Sequence, residues 1–281
     1  MTLGQNRWLP HLILLVGVVI FVFPIYLTFI GSTHTAPTIA RGDMPLTPGP
    51  EIVDNYRQAL YSGVGERVRG TPAVMLLRNS MYMALAIVFG KIAISLLSAF
   101  AVVFFEFPGR MFFFWMIFIT LMLPVEVRMI PTYAVVANLG MVDTFAGLTI
   151  PLIASATATL LFRQFFLTIP DELVDAAQID GAGAMRFFWS VLLPLSRTNI
   201  AALFVIMFIY GWNQYLWPLI VTTSRGRETI VIGIVRMIGS GESATDWNMI
   251  MAVAMLALVP PVLIIILMQR WFVKGLVDPE K

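Results

Sequence analysis

The chain contains no cysteine and only two histidines, His11 and His34. A disulfide framework, a thiol nucleophile and a cysteine-based metal centre are therefore excluded. The two histidines have neither helical nor zinc-like spacing, so they offer no ligand set, and both read as terminal or loop residues. Charge is also scarce. Of the 281 residues 12% are charged and 59% hydrophobic, whereas a soluble domain carries about 25% charged residues and about 45–50% apolar ones. The formal net charge is only +2, with bases scattered singly, which gives no electrostatic footprint for nucleic acid. The nucleotide-binding pattern G-x-x-x-x-G-K-[ST] is missing too. Gly90-Lys91 is followed by Ile92 inside an apolar run, where no phosphate-cradling loop can form. Internal repeats and low-complexity tracts are not evident.

What the chain has in abundance is long apolar runs. A helix needs about 20 mainly apolar residues to cross a bilayer, and six segments qualify, at about 9–31, 74–105, 111–130, 144–162, 198–223 and 248–268. Several are apolar on every face, unlike the alternating strands of a membrane barrel, and in lipid a helix satisfies its own backbone. The expectation is an all-α, polytopic membrane helix bundle with six transmembrane helices. The first run, Leu12–Ile30, exceeds the about 7–15 apolar residues of a signal peptide, and Pro37 follows Ala36 where cleavage would fall, so it reads as a retained span. The third run is the weakest, bounded closely by Arg110 and Glu126.

Between the runs lie unequal connections. Residues 32–73 and 224–247 form polar loops on one side of the membrane. Pro131–Asp143 is expected to carry a short interfacial helix before Gly140. Charge does not orient the bundle. Arg7, Arg110, Arg163, Arg186, Arg197, Arg270, Lys274 and Lys281 fall on one side, against Arg41, Arg57, Arg67, Arg69, Arg78, Arg128, Arg225, Arg227 and Arg236 on the other.

The segment 168–197 stands apart. It is acidic and glycine-punctuated, between two uncharged apolar runs. Thr168 is a candidate N-cap, with Pro170 in the first turn. Asp171, Glu172 and Asp175 then lie near the helix N-terminus, where the macrodipole favours negative charge. Leu173 and Ala177 form a small apolar face, and Gly181 suits a left-handed helix end. A second helix presents Phe187, Phe188, Trp189 and Leu192 before Pro194 stops it. Helices that lie on lipid favour Lys and Arg. This segment sets Asp171, Glu172, Asp175 and Asp180 against Arg186 alone, so a protein socket suits it better than anionic headgroups.

The run E172-L-V-D-A-A-Q-I-D-G-A followed by L193-P194-L195 resembles the EAA loop of ATP-binding-cassette importer permeases. Glu172, Asp175, Ala176, Ala177, Asp180, Gly181 and Pro194 occupy its motif positions, with Asp175 where the family usually has Glu. Asn79-Ser80, W212-N-Q-Y-L-W-P-L219 and K274-G-L276 are similar to the carbohydrate-type members. F113–R128, S155-A-T-A-T159, F162-R-Q-F-F166 and Y210–P218 resemble the branch that imports sn-glycerol-3-phosphate. The resemblance covers almost the whole chain. It implies a bacterial inner-membrane permease with 168–197 and both termini in the cytoplasm and residues 32–73 and 224–247 in the periplasm. The implied partners are a second permease subunit in a heterodimer, an ATPase dimer that receives the loop, and a periplasmic binding protein. No cofactor is expected on this chain, with ATP and Mg held by the ATPase, and no catalytic or metal site.

Charges inside spans are functional hypotheses by default, and Lys91 is the clearest. It either faces the substrate path, where positive potential would favour a phosphate monoester, or snorkels or pairs with a neighbouring carboxylate. Asn79 is a second candidate for the path. Trp212, Asn213, Gln214 and Tyr215 either line the mouth of the path or belong to an aromatic belt and to helix–helix hydrogen bonds. Gly17, Gly90, Gly147 and Gly211 are expected at close helix contacts. Pro24, Pro124, Pro151 and Pro260-Pro261 are expected at kinks or ends. Two alternatives compete: an importer permease for a neutral sugar or polyol, and a secondary transporter, which typically shows paired broken helices in related halves. A membrane enzyme would need clustered catalytic groups, and Glu126 with Arg128 lacks a nucleophile beside it.

Overall fold

A computed structural model describes residues 8–42, 44–63, 71–120, 123–239 and 246–277. Arg7, Arg67, Arg69 and Lys281 of the charge comparison lie outside them, as do the side chains of Lys274 and Leu276. The described residues are helical, with no strand among them. In chain order the helices are α1 (Trp8–Gly31), α2 (Ala36–Ala40), α3 (Ile52–Tyr61), α4 (Ala73–Phe104), α5 (Arg110–Ile119), α6 (Val125–Asn138), α7 (Phe145–Thr149), α8 (Ala156–Phe166), α9 (Asp171–Ile179), α10 (Ala184–Phe187), α11 (Leu193–Leu195), α12 (Arg197–Trp212), α13 (Leu216–Val221), α14 (Ile230–Gly239) and α15 (Trp247–Val277).

Three unbroken helices, α1, α4 and the Trp247–Trp271 part of α15, are long and apolar enough to cross a membrane. Two further candidates are bent pairs. Phe145–Leu152 meets α8 at 45°, and Ala184–Leu195 meets α12 at 72°. The expected third span, 111–130, is not one helix. α5 has 10 residues and is capped at Thr120, and among the described residues the next helix, α6, starts at Val125 with Pro124 as its N-cap. Proline disfavours helical geometry in the residue before it, which accounts for a break there. The expected fourth span breaks after the 3-10 turn Ile150–Leu152 that contains Pro151, and the fifth breaks at Asn213, the C-cap of α12. By contrast, α15 continues through Pro260 and Pro261.

The chain divides into two compact units, Met1–Leu77 with Ile230–Pro260 and Arg78–Thr229 with Pro261–Lys281. In the first, the side chains of α1 up to Tyr26 are almost all exposed, as suits a helix meeting lipid or a partner. The loop after it is not featureless. Buried Asn55, on α3, donates its amide to the carbonyls of Ser32 and His34, each at 2.9 Å, and accepts from Asn248 at 3.2 Å. Such a knot satisfies backbone groups where α1 ends. His34 Nε2 lies 2.9 Å from the Thr47 carbonyl, a structural role within the loop.

The second unit is built round a core of Met83, Ile87, Val136, Leu148, Trp217 and Val221. Trp217 donates its indole N–H to the Gly147 carbonyl at 3.1 Å. Three of the expected glycines sit at close contacts. A Cβ on Gly90 would lie 2.6 Å from Ile153, and one on Gly211 would lie 3.0 Å from the Ala84 backbone. One on Gly147 would overlap the Met141 carbonyl. Gly17 differs, since a Cβ there would meet nothing within 4 Å.

Candidate functional site

The acidic segment folds as a helix–glycine–helix hairpin. α9 begins later than its motif suggests. Pro170, not Thr168, is the N-cap, and the Thr168 hydroxyl donates backward to the Phe165 carbonyl at 2.7 Å. Pro170 has no side-chain acceptor, so the first turn is stabilised by Asp171 and Glu172 against the helix dipole. At the other end Gly181 has φ +72°. The Ala182 N–H reaches the Ala177 carbonyl at 2.8 Å and the Gly181 N–H reaches the Gln178 carbonyl at 2.9 Å. This pair of bonds is the Schellman closure, which needs a left-handed residue. The chain then turns at Gly183 into α10, a π-helical turn over Phe188–Leu192, and α11.

Burial sorts the hairpin into two faces. Asp171, Glu172, Asp175, Ala176, Asp180 and Gly181 are exposed, while Ala177 and Pro194 are half-buried. The expected apolar face is rotated by one residue. Val174 and Ala177 turn inward, while Leu173 is exposed. In the second helix Phe187, Phe188 and Leu192 are buried, and Trp189 alone of the expected four points out. The outer face thus presents Leu173, Ile179, Met185 and Trp189 beside four carboxylates.

The inner face is clamped by aromatic rings. Phe187 meets Phe104 at 5.4 Å between centroids, Phe188 meets Phe100 at 5.1 Å, and Phe104 meets Phe166 at 5.9 Å. The hairpin is therefore joined to the end of α4, and the end of α4 is joined in turn to the end of α8. Sequence reasoning does not single out Phe100 and Phe104; their i, i+4 spacing at the end of a span is the available signal.

A second site lies within the second unit. A cavity of about 430 Å³ is lined by residues that include Lys91, Ser98, Thr120, Arg128, Ser155, Thr157, Thr159 and Tyr210. The Lys91 Nζ sits 4.0 Å from the Tyr210 ring centroid. Of the six residues expected along a substrate path, only Lys91 lines this cavity. Asn79 is fully buried and donates to the carbonyls of Gly226 and Glu228, each at 2.9 Å. Trp212 is buried and stacks on Phe208 at 5.6 Å. Gln214 donates to the Tyr210 carbonyl at 3.0 Å, and exposed Asn213 and Tyr215 lie in the break between α12 and α13. Arg128 and the hydroxyls of Ser155 and Thr157 are brought to Lys91 only by folding.

Spanning helices, a cavity lined by two cations and an outward acidic hairpin define a polytopic membrane transport subunit. Residues 91–278 match the family described as binding-protein-dependent transport system inner membrane component, and the chain belongs to that family. It is 62% identical over 276 residues to the sn-glycerol-3-phosphate transport system permease protein UgpE of Brucella melitensis, covering 98% of each chain. It is 62% identical to that of Agrobacterium fabrum, covering 98% of this chain and 97% of the relative, and 55% identical to that of Yersinia pestis, covering 96% of each. The fold superposes with a TM-score of 0.82, at 18% identity, on a bacterial ABC transporter involved in the import of the acidic polysaccharide alginate, covering 97% of this chain and 99% of that one. This chain is accordingly a permease component of an ABC importer, and the expected all-α membrane fold holds.

Proposed function

We propose that this chain forms half of the membrane path of an importer for sn-glycerol-3-phosphate and related glycerophosphodiesters, and takes its energy from a separate ATPase. The carrying observation is the hairpin. It presents carboxylates and apolar side chains outward while aromatic rings fix its inner face to α4, which packs in turn on α8. That geometry suits a rigid lever, with an outer face to be gripped and an inner face that transmits motion to spanning helices. Closure of an ATPase dimer moves the seated hairpin, and the attached helices tilt to switch access from one side to the other.

The assembly comprises this chain, a second permease subunit, an ATPase dimer holding ATP and Mg, and a periplasmic binding protein. This chain is non-catalytic within it, and the hairpin and both termini face the cytoplasm. Full-length similarity to sn-glycerol-3-phosphate permeases supports the cargo. The test is uptake by the reconstituted complex in vesicles, comparing sn-glycerol-3-phosphate with glycerol and a neutral sugar. ATP-dependent uptake of the phosphorylated polyol alone supports the reading. Preferred uptake of a neutral cargo would replace it with a sugar or polyol importer, and uptake by the purified chain without an ATPase would replace it with a secondary carrier.

A further inference from the structure

Near the middle of α4, Lys91, Ser95 and Ser98 fall at i, i+4 and i+7 on one helix face. That face is held against the start of α8, because Ser95 Oγ donates to the Ser155 carbonyl at 3.3 Å. Ser155 is the N-cap of α8, an 11-residue helix, and its Oγ accepts from the Ala158 N–H at 3.3 Å. The first-turn N–H groups of Ala156 and Thr157 have no intrahelical partner, and the helix dipole places partial positive charge there. Ala156 and Thr157 both line the cavity. Two formal cations join this helix end. Lys91 is only 6% exposed, and Arg128 comes from the first turns of α6.

Among the described residues that line the cavity, none is acidic. A buried lysine without a carboxylate is costly within an apolar span, and the Tyr210 ring offsets part of that cost while holding the ammonium at the cavity wall. Two cations, a helix N-terminus and several hydroxyls therefore converge on one space of about 430 Å³, within the range of about 300–1,000 Å³ typical of small-molecule sites. The cations and the helix end favour an anion, and the hydroxyls beside them suit a polyol.

We propose that this cavity is a phosphate-monoester subsite within this permease subunit, where Lys91 and Arg128 receive the phosphoryl group during transit and Ser98, Ser155 and Thr157 supply neutral hydrogen bonds. The inference rests on the reading that the cargo is a phosphorylated polyol. Lys91 is central because it is the more buried of the two cations.

The test uses the complete importer in vesicles, with radiolabelled sn-glycerol-3-phosphate as probe and ATP hydrolysis and subunit assembly measured in parallel. K91Q is expected to slow uptake about tenfold or more, the scale of a lost charge-assisted hydrogen bond, in an assembled complex. K91R restores at least half of the wild-type rate. Uptake by K91Q within about twofold of wild type, or equal loss in K91Q and K91R, overturns the subsite. If K91Q does not assemble, R128Q decides, its side chain being exposed. R128Q is expected to slow uptake severalfold, and a wild-type rate overturns the proposal. A wild-type complex that ignores sn-glycerol-3-phosphate overturns the cargo instead, whatever the variants do.

Discussion

Phe187 of the hairpin meets Phe104 of α4 edge to face, with ring centroids 5.4 Å apart and planes at 65°. Phe187 is 6% exposed, and Phe104 touches Phe100 and Phe166 as well. One ring pair thus links the acidic hairpin to a helix that continues to Lys91. Truncating it should separate nucleotide hydrolysis from transport. F187A is expected to cost the local packing about 2–4 kcal/mol, below or within the usual range for a buried Phe. ATPase activity of the assembled complex should persist while uptake falls at least several-fold. Parallel loss of both activities, or unchanged uptake, would remove the ring pair from the coupling path.

Gly181 and Gly183 offer an internal comparison. A methyl group added at either would meet nothing within 4 Å, so space does not separate them. Backbone does. Gly181 has φ +72° and Gly183 has φ −68°. Placing a Cβ in the left-handed region costs roughly 1–2 kcal/mol, while the φ of Gly183 suits any residue. G181A is expected to weaken co-purification of the ATPase severalfold, and G183A to leave it unchanged. Equal effects would show that the Schellman closure is not what shapes the docking face.

The exposed carboxylates predict a salt signature. Asp171, Glu172 and Asp175 all face out, and exposed ion pairs are worth about 0.2–1 kcal/mol each and are screened by salt. Single D175N should weaken ATPase association by no more than about fivefold at low salt. Neutralising all three should weaken it more and flatten its salt dependence, read by titration of the complex between low and high ionic strength. D175E keeps the charge and should stay near wild type.

The sequence revealed the helical class because six runs lack the polar residues an aqueous surface needs, and it revealed the hairpin because acids and glycines have no other reason to interrupt such runs. It did not reveal where helices break. The span that contains Pro151 breaks just after the 3-10 turn that holds it, whereas Pro260 and Pro261 lie inside a continuous helix, so proline by itself does not place the breaks. It also left Lys91 without companions. Arg128 and Thr157 lie far along the chain from it, and only the break before α8 turns a helix N-terminus toward that lysine. Asn79 and Trp212 looked like path residues because polar groups in spans are rare, yet both are engaged in internal contacts.

Asp143 is a latch that no motif announced. It has φ +57°, and its carboxylate accepts from the N–H groups of Thr223 at 3.1 Å and Ser224 at 3.0 Å. Its own N–H donates to the Val221 carbonyl at 2.8 Å. The turn after α6 is thereby tied to the end of α13. Partial desolvation raises its pKa, but the bonds from Ser224 and Thr223 and the charge of Arg227 outweigh that and hold it below the ordinary carboxylate value. A depressed folded-state pKa means that the stabilisation is complete above the unfolded value, about 3.9, and is lost as pH falls through the folded one. D143A should lower the thermal midpoint of the purified complex at neutral pH, and the gap to wild type should close in acid. D143N keeps a carbonyl acceptor and tolerates the left-handed backbone, so it should lose less than D143A and show little of the pH dependence. Equal destabilisation by both variants at every pH would mean that the charge contributes nothing and the latch is steric.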